Sequence, residues 1–159
     1  MNKIFLYDPA SVNPDTLHIM KWKKYVLLEL TDNPKDFWLV LDKLGMEDIF
    51  VLLSHGDKNG PLPVRGDKGE DINLDRFAKL LNEKRITLYL LSCYTGQDPC
   101  SAILLERKVH FVAPIGKAEF QTVGNESIQV FSKTGKEFMG WAGSKGLTPV
   151  RASAALSLP

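Results

Sequence analysis

No excess of charge of either sign marks this chain: 20 lysines and arginines stand against 19 acidic residues, spread along 159 positions for a net charge of +1. A strongly basic stripe is what draws a protein onto nucleic acid or an anionic membrane surface, so neither partner is expected. Long apolar runs are missing as well. The longest are a handful of residues, where a helix crossing a bilayer needs about 20. The opening "MNKIFLYDPAS" has one lysine and too short an apolar stretch for a signal peptide, so the cytosol is the expected location. Cysteine is scarce, with only Cys93 and Cys100. In a reducing compartment such cysteines read as buried or reactive thiols rather than as a disulfide, and their spacing is not that of a C-x-x-C redox pair. Neither a metal nor a cofactor is expected.

What is present is ordinary globular material. Apolar residues make up 44% and charged residues 25%, a balance that excludes both disorder and a coiled coil. A chain of this length buries about two thirds of its unfolded surface and needs no staples, so residues 1–159 are read as one domain without repeats or linkers. Strand patterns cover 3–8, 25–30, 48–55, 86–92 and 109–116. Helical patterns fall between them. Asn33-Pro34 caps one that carries Phe37, Val40, Leu41 and Leu44 at helical spacing. Asn73 caps another with Leu74, Phe77, Leu80 and Leu81 on one face, and a short helix follows at 101–107. A helix at 125–143 is expected to start near Asn125 and to bury Ile128, Val130, Phe131 and Phe138, with Gly135 weakening its middle. A last helix is expected at 148–158. The glycine- and proline-rich stretch 56–71 reads as an exposed loop with room for a small hairpin. Alternating strands and helices predict an α/β fold, a mostly parallel central sheet with helices on both faces.

Two strands end in chemistry. "DIFVLLSHG" runs into Ser54-His55-Gly56 and "ITLYLLSCYTG" into Ser92-Cys93. Functional groups of an open α/β sheet gather at the carboxyl ends of its strands. If these two strands are neighbours, roughly 4.8 Å apart, the imidazole and the thiol emerge on one edge. A thiolate attacks a carbonyl where a thiol does not, and a histidine can take the thiol proton and give it to a leaving amine. Gly56, beside the base, lets a backbone N–H approach the substrate, and with the N–H of Cys93 it makes a candidate oxyanion hole.

This pair of endings resembles the caspase-like cysteine peptidases of clan CD, in which one apolar strand ends in His-Gly and another in a small residue and Cys. Cys93-Tyr94-Thr95-Gly96, "INLDRFAKLL" and "HFVAPIGKAEF" are most similar to CHAT domains, over about residues 48–140. Two departures stand out. Leu91 occupies the place where metacaspases carry an acidic residue, and Lys117 the place where CHAT domains often have Trp. The resemblance implies a three-layer caspase-like sandwich, a protein substrate, Cys93 as nucleophile and His55 as general acid and base. It also implies a separate activating protein partner and a role as an effector in bacterial defence, antiviral defence included, or in programmed cell death. Many members of the clan cut after a basic residue, which would make Asp57, Glu119 and Glu126 the candidate pocket carboxylates.

Blander readings stand beside these. A caspase-like module that binds a protein partner without catalysis is the alternative function, and a flavodoxin-like signalling domain lacks the acidic or phosphate-binding cluster it would need. Cys100 reads as core, and His18 and His110 as structural. The Arg65-Gly66-Asp67 triplet is taken as solvated loop. A tyrosine-phosphatase loop is excluded because Pro99 stands where its arginine would be.

Overall fold

The computed structural model describes residues 1–124 and 127–159. Strand and helix alternate from β1 (Lys3–Tyr7) through α1 (Pro14–Trp22), β2 (Val26–Glu29), α2 (Pro34–Lys43) and β3 (Ile49–Leu53). A small hairpin of β4 (Gly56–Asp57) and β5 (Gly60–Pro61) follows, then α3 (Leu74–Glu83), β6 (Thr87–Leu90), α4 (Cys100–Glu106) and β7 (His110–Pro114). The rest is strand: β8 (Lys117–Val123), β9 (Ser127–Thr134), β10 (Glu137–Phe138), β11 (Trp141–Gly143) and β12 (Leu156–Ser157).

The fold is α/β. Its central sheet has the order β11-β7-β6-β3-β1-β2, parallel throughout except for β11, which runs antiparallel along β7. Asparagines start three of the helices: Asn13, Asn33 and Asn73 each accept a backbone N–H of the first turn, and a proline follows the first two. That side-chain oxygen replaces an intrahelical acceptor, and the proline gives up an N–H that would have had no partner.

Successive strand residues point to opposite faces, and both faces are apolar. Ile4, Leu6, Phe50, Leu52, Leu88, Leu90 and Phe111 pack against α2, α3 and α4 through Phe37, Leu41, Phe77, Leu81 and Leu104. Phe5, Tyr7, Val51, Leu53, Tyr89, Leu91 and Val112 pack the other way, against Ile19 and Met20 of α1 and against Ile128, Val130 and Leu156. Each fully buried side chain of this size stabilises the fold by roughly 1.5–3 kcal/mol relative to exposure.

The second face departs from expectation. Helices do cover one face, but the other is covered by α1 and a second, antiparallel sheet of β8, β9, β10 and β12. The helix expected at 125–143 is absent: β9, β10 and β11 occupy that stretch, and Asn125 lies outside the described residues. Ile128, Val130 and Ser132 alternate inward along β9 with period two, which is a strand's pattern. Phe131 and Phe138 therefore lie on the outer face of this sheet, 5.9 Å apart between ring centroids, and Phe138 is exposed. Gly135, read as a flaw in a helix, sits at φ 61° in the two-residue turn between β9 and β10. A positive φ costs glycine nothing, which suits it to such a hairpin turn. The helix expected at 148–158 is also absent; β12 pairs with β9 there.

Candidate active site at the carboxyl edge

The strands carrying His55 and Cys93 are neighbours. β3 and β6 run parallel in the register Ile49↔Thr87 through Leu52↔Leu90, a constant offset in sequence. The pairing continues past the ends of both strands. Leu91 N–H donates to the Leu52 carbonyl at 2.8 Å. Ser54 N–H donates to Ser92 Oγ at 3.3 Å, and the two hydroxyls share a hydrogen bond of 2.9 Å across the same 38-residue offset. His55 and Cys93 are the residues that follow these two serines, His55 at the entry to the β4–β5 hairpin and Cys93 in the turn that leaves β6. Both serines are buried and satisfy each other, so they lock the ends of the two strands together one residue before His55 and Cys93.

Each loop that leaves this edge is tied down. Tyr94 adopts φ 63°, and its N–H donates to the Gly116 carbonyl at 2.9 Å. Thr95 Oγ1 donates back to the Ser92 carbonyl at 2.7 Å, and Gly96 N–H reaches the Pro114 carbonyl at 2.8 Å. A Cβ on Gly96 would lie 2.8 Å from the Ala113 and Pro114 backbone, so only glycine lets the turn press this close to the end of β7. Among the described residues, no backbone carbonyl accepts the Cys93 N–H.

Gly56 has two physical roles. A Cβ there would meet Ser92 Cβ at 2.8 Å, the Gly60 carbonyl at 3.1 Å and Thr95 Cγ2 at 3.1 Å, so its bareness lets the histidine strand pack against the cysteine turn. Leu62 N–H donates to the His55 carbonyl at 2.7 Å, which makes these two a hydrogen-bonded pair of the β4–β5 hairpin. Gly56, the next residue, faces Pro61 in a non-hydrogen-bonded pair, and its N–H turns away from β5.

Sequence reasoning missed a third residue. β1 lies on the other side of β3, and the Asp8 N–H extends their ladder to the Leu53 carbonyl at 2.8 Å. The Asp8 side chain is 1% exposed, and its Oδ2 stands 3.5 Å from His55 Nε2. Oδ1 accepts the Ala10 N–H at 2.9 Å and Oδ2 the Gly66 N–H at 2.8 Å. The signal available in the sequence was its position, Asp8-Pro9 at the end of an apolar strand. Adjacent strands thus deliver carboxylate, imidazole and thiol, in that order, to one edge.

The other candidates fare differently. Asp57 is exposed, and its Oδ1 accepts the Asn59 N–H at 2.7 Å within the hairpin turn. Glu119, on β8, pairs with Lys133 of β9 at 3.1 Å. Glu126 lies outside the described residues. Cys100 is fully buried at the start of α4, its thiol pushed up to about 12 by burial and then by the charge of Asp57. Arg65 makes a two-pronged pair with Asp32, at 2.8 Å for each prong, so the arginine of the Arg65-Gly66-Asp67 triplet is engaged within the chain. A cleft of about 420 Å³ lies beyond this loop and is lined by Trp38, Val64, Ile72, Arg76 and the carboxylates of Asp32, Glu70 and Asp71; neither His55 nor Cys93 borders it. Among the described residues, no helix is long and apolar enough to cross a membrane.

No protein-family model and no curated protein matches this chain. Among solved structures, an aromatic-amino-acid aminotransferase from Burkholderia pseudomallei, covalently bound to pyridoxal phosphate, is similar over 70% of this chain, with 12% identity and a TM-score of 0.44. The match spans 30% of that enzyme's chain.

Proposed function

We propose that this chain is a cysteine endopeptidase of the caspase-like kind, nearest to CHAT domains, acting on a protein substrate without a cofactor. The observation that supports this reading is the parallel β3–β6 pairing, carried on by the Ser54–Ser92 hydrogen bond, which brings the strands that lead into His55 and Cys93 to neighbouring places on the carboxyl edge. In the reaction, the His55 imidazole takes the Cys93 proton and the thiolate Sγ bonds to the scissile carbonyl carbon. The oxyanion that forms accepts hydrogen bonds from the N–H groups of Gly56 and Cys93. The C–N bond then breaks, and the imidazolium gives its proton to the departing amine. Water, deprotonated by His55, opens the thioester, releasing the acid and restoring the thiol.

The basic-residue preference, served by Asp57, Glu119 or Glu126, belongs to the same proposal. So do an activating protein partner and an effector role in bacterial defence or programmed cell death. A second reading, a silent module that binds a partner, draws on the cleft beside Trp38 and Arg76, which neither His55 nor Cys93 borders. Incubating the full chain with a proteome and mapping new N-termini separates the two. A peptidase yields cuts that are absent with Cys93→Ala; identical maps would leave the silent module standing.

A further inference from the structure

We infer that Asp8 is a positioning residue for His55, holding the imidazole in the tautomer that leaves Nδ1 bare toward Cys93. The inference rests on the peptidase reading above. A carboxylate can only accept hydrogen bonds, so the ring nitrogen that faces it carries the proton. Here that nitrogen is Nε2, 3.5 Å from Asp8 Oδ2. A neutral imidazole has one N–H, so Nδ1 keeps its lone pair for the thiol proton. Contacts of this kind are often long in a free enzyme and shorten when substrate is bound.

The surroundings suit this role. Asp8 is buried, and among the described residues no lysine or arginine pairs with it. Its two oxygens are aimed by backbone donors on either side, Ala10 N–H from the turn after β1 and Gly66 N–H from the loop that crosses the strand ends. The β1–β3 register fixes its height, since Tyr7 faces Leu53 and Asp8 continues the ladder by one residue. A carboxylate kept in water's shadow, gripped on two sides and presented to a half-exposed imidazole, constrains the ring without competing for substrate. Once the imidazolium forms, the same carboxylate stabilises it.

Asp48 supplies a matched control. It is 2% exposed, and its oxygens accept two backbone N–H groups, Asn2 at 2.7 Å and Gly45 at 2.7 Å. It stands just before β3, at the opposite end of that strand from His55. Asp8→Asn and Asp48→Asn therefore remove similar backbone anchors, and only the first removes the partner of His55.

The experiment uses the full chain labelled with 15N-histidine, and iodoacetamide as the probe of Cys93. In the wild type, the ring spectrum of neutral His55 should show the proton on Nε2. Asp8→Asn should shift that population toward Nδ1–H and slow Cys93 alkylation at least tenfold, whereas Asp48→Asn should lower the melting temperature and leave both readings unchanged. A wild-type proton on Nδ1 overturns the inference even if Asp8→Asn does not fold. So does a fast-labelling Cys93 that Asp8→Asn leaves untouched, and in that case the nucleophile assignment survives. A wild-type Cys93 that labels no faster than Cys100 sinks the peptidase reading, and the role of Asp8 with it.

Discussion

Burial decides how Cys100 and several tyrosines titrate, and the direction is the same for all of them. The Cys100 thiol, ordinarily near 9.0, is pushed up to about 12 by burial and by Asp57. Tyr25, whose hydroxyl donates to the Pro159 carbonyl at 2.9 Å, is raised well above its ordinary 10.0 by burial and by Tyr89. Tyr89 is raised by burial, and Tyr7 by burial and by Glu29. The folded protein holds these protons more tightly than the unfolded chain, so each group's contribution is intact below its unfolded value and is lost as pH rises toward the folded one. Urea midpoints should therefore be level up to about pH 8 and fall progressively above it, through about pH 11 and beyond, and Tyr25→Phe should flatten part of that fall. A midpoint that stays level to the alkaline end would contradict this account of the buried hydroxyls and thiol.

At the scale of elements, the β9 strand is where a helix and a strand make opposite claims about the same residues. A helix over 125–143 would bury Phe138 along with Ile128; the observed strand buries Ile128 at 1% exposure and leaves Phe138 at 45%. Ile128→Ala should then cost about 2–4 kcal/mol in unfolding free energy, and Phe138→Ala well under about 1 kcal/mol. Equal losses, read from denaturant midpoints, would favour the helix. The sequence misled here because apolar residues packed closely between Ile128 and Phe138 satisfy a helical spacing loosely, while the decisive signal was the strict alternation Ile128, Val130, Ser132, with a serine as its third inward member. Gly135 was a second signal, since glycine between two strand-forming runs marks a hairpin more often than a weak point in a helix. α1 was missed although Asn13-Pro14 repeats the Asn33-Pro34 signature that located α2. The parallel strands were legible because buried, unalternating apolar runs bounded by turns leave few other readings.

Across the whole molecule, sheet order brings separated motifs to one edge. His55 and Cys93 were legible as strand endings, and the strands that lead into them, β3 and β6, are parallel neighbours joined through α3. Asp8 was not, because the sequence does not say that β1 flanks β3 on its other side, and an aspartate before a proline reads first as a turn residue. The second sheet also matters to the site. Its first strand begins at Lys117, beside the Gly116 carbonyl that holds Tyr94, so the cysteine turn rests on the junction of the two sheets. The central claim, that His55 and Cys93 act as a pair, is tested most directly by native alkylation with iodoacetamide, followed by peptide mass spectrometry of the wild type and His55→Ala. The account predicts that wild-type Cys93 is modified at least tenfold faster than buried Cys100, and that His55→Ala removes most of this difference. Equal rates at the two thiols, or a Cys93 rate indifferent to His55, would contradict it.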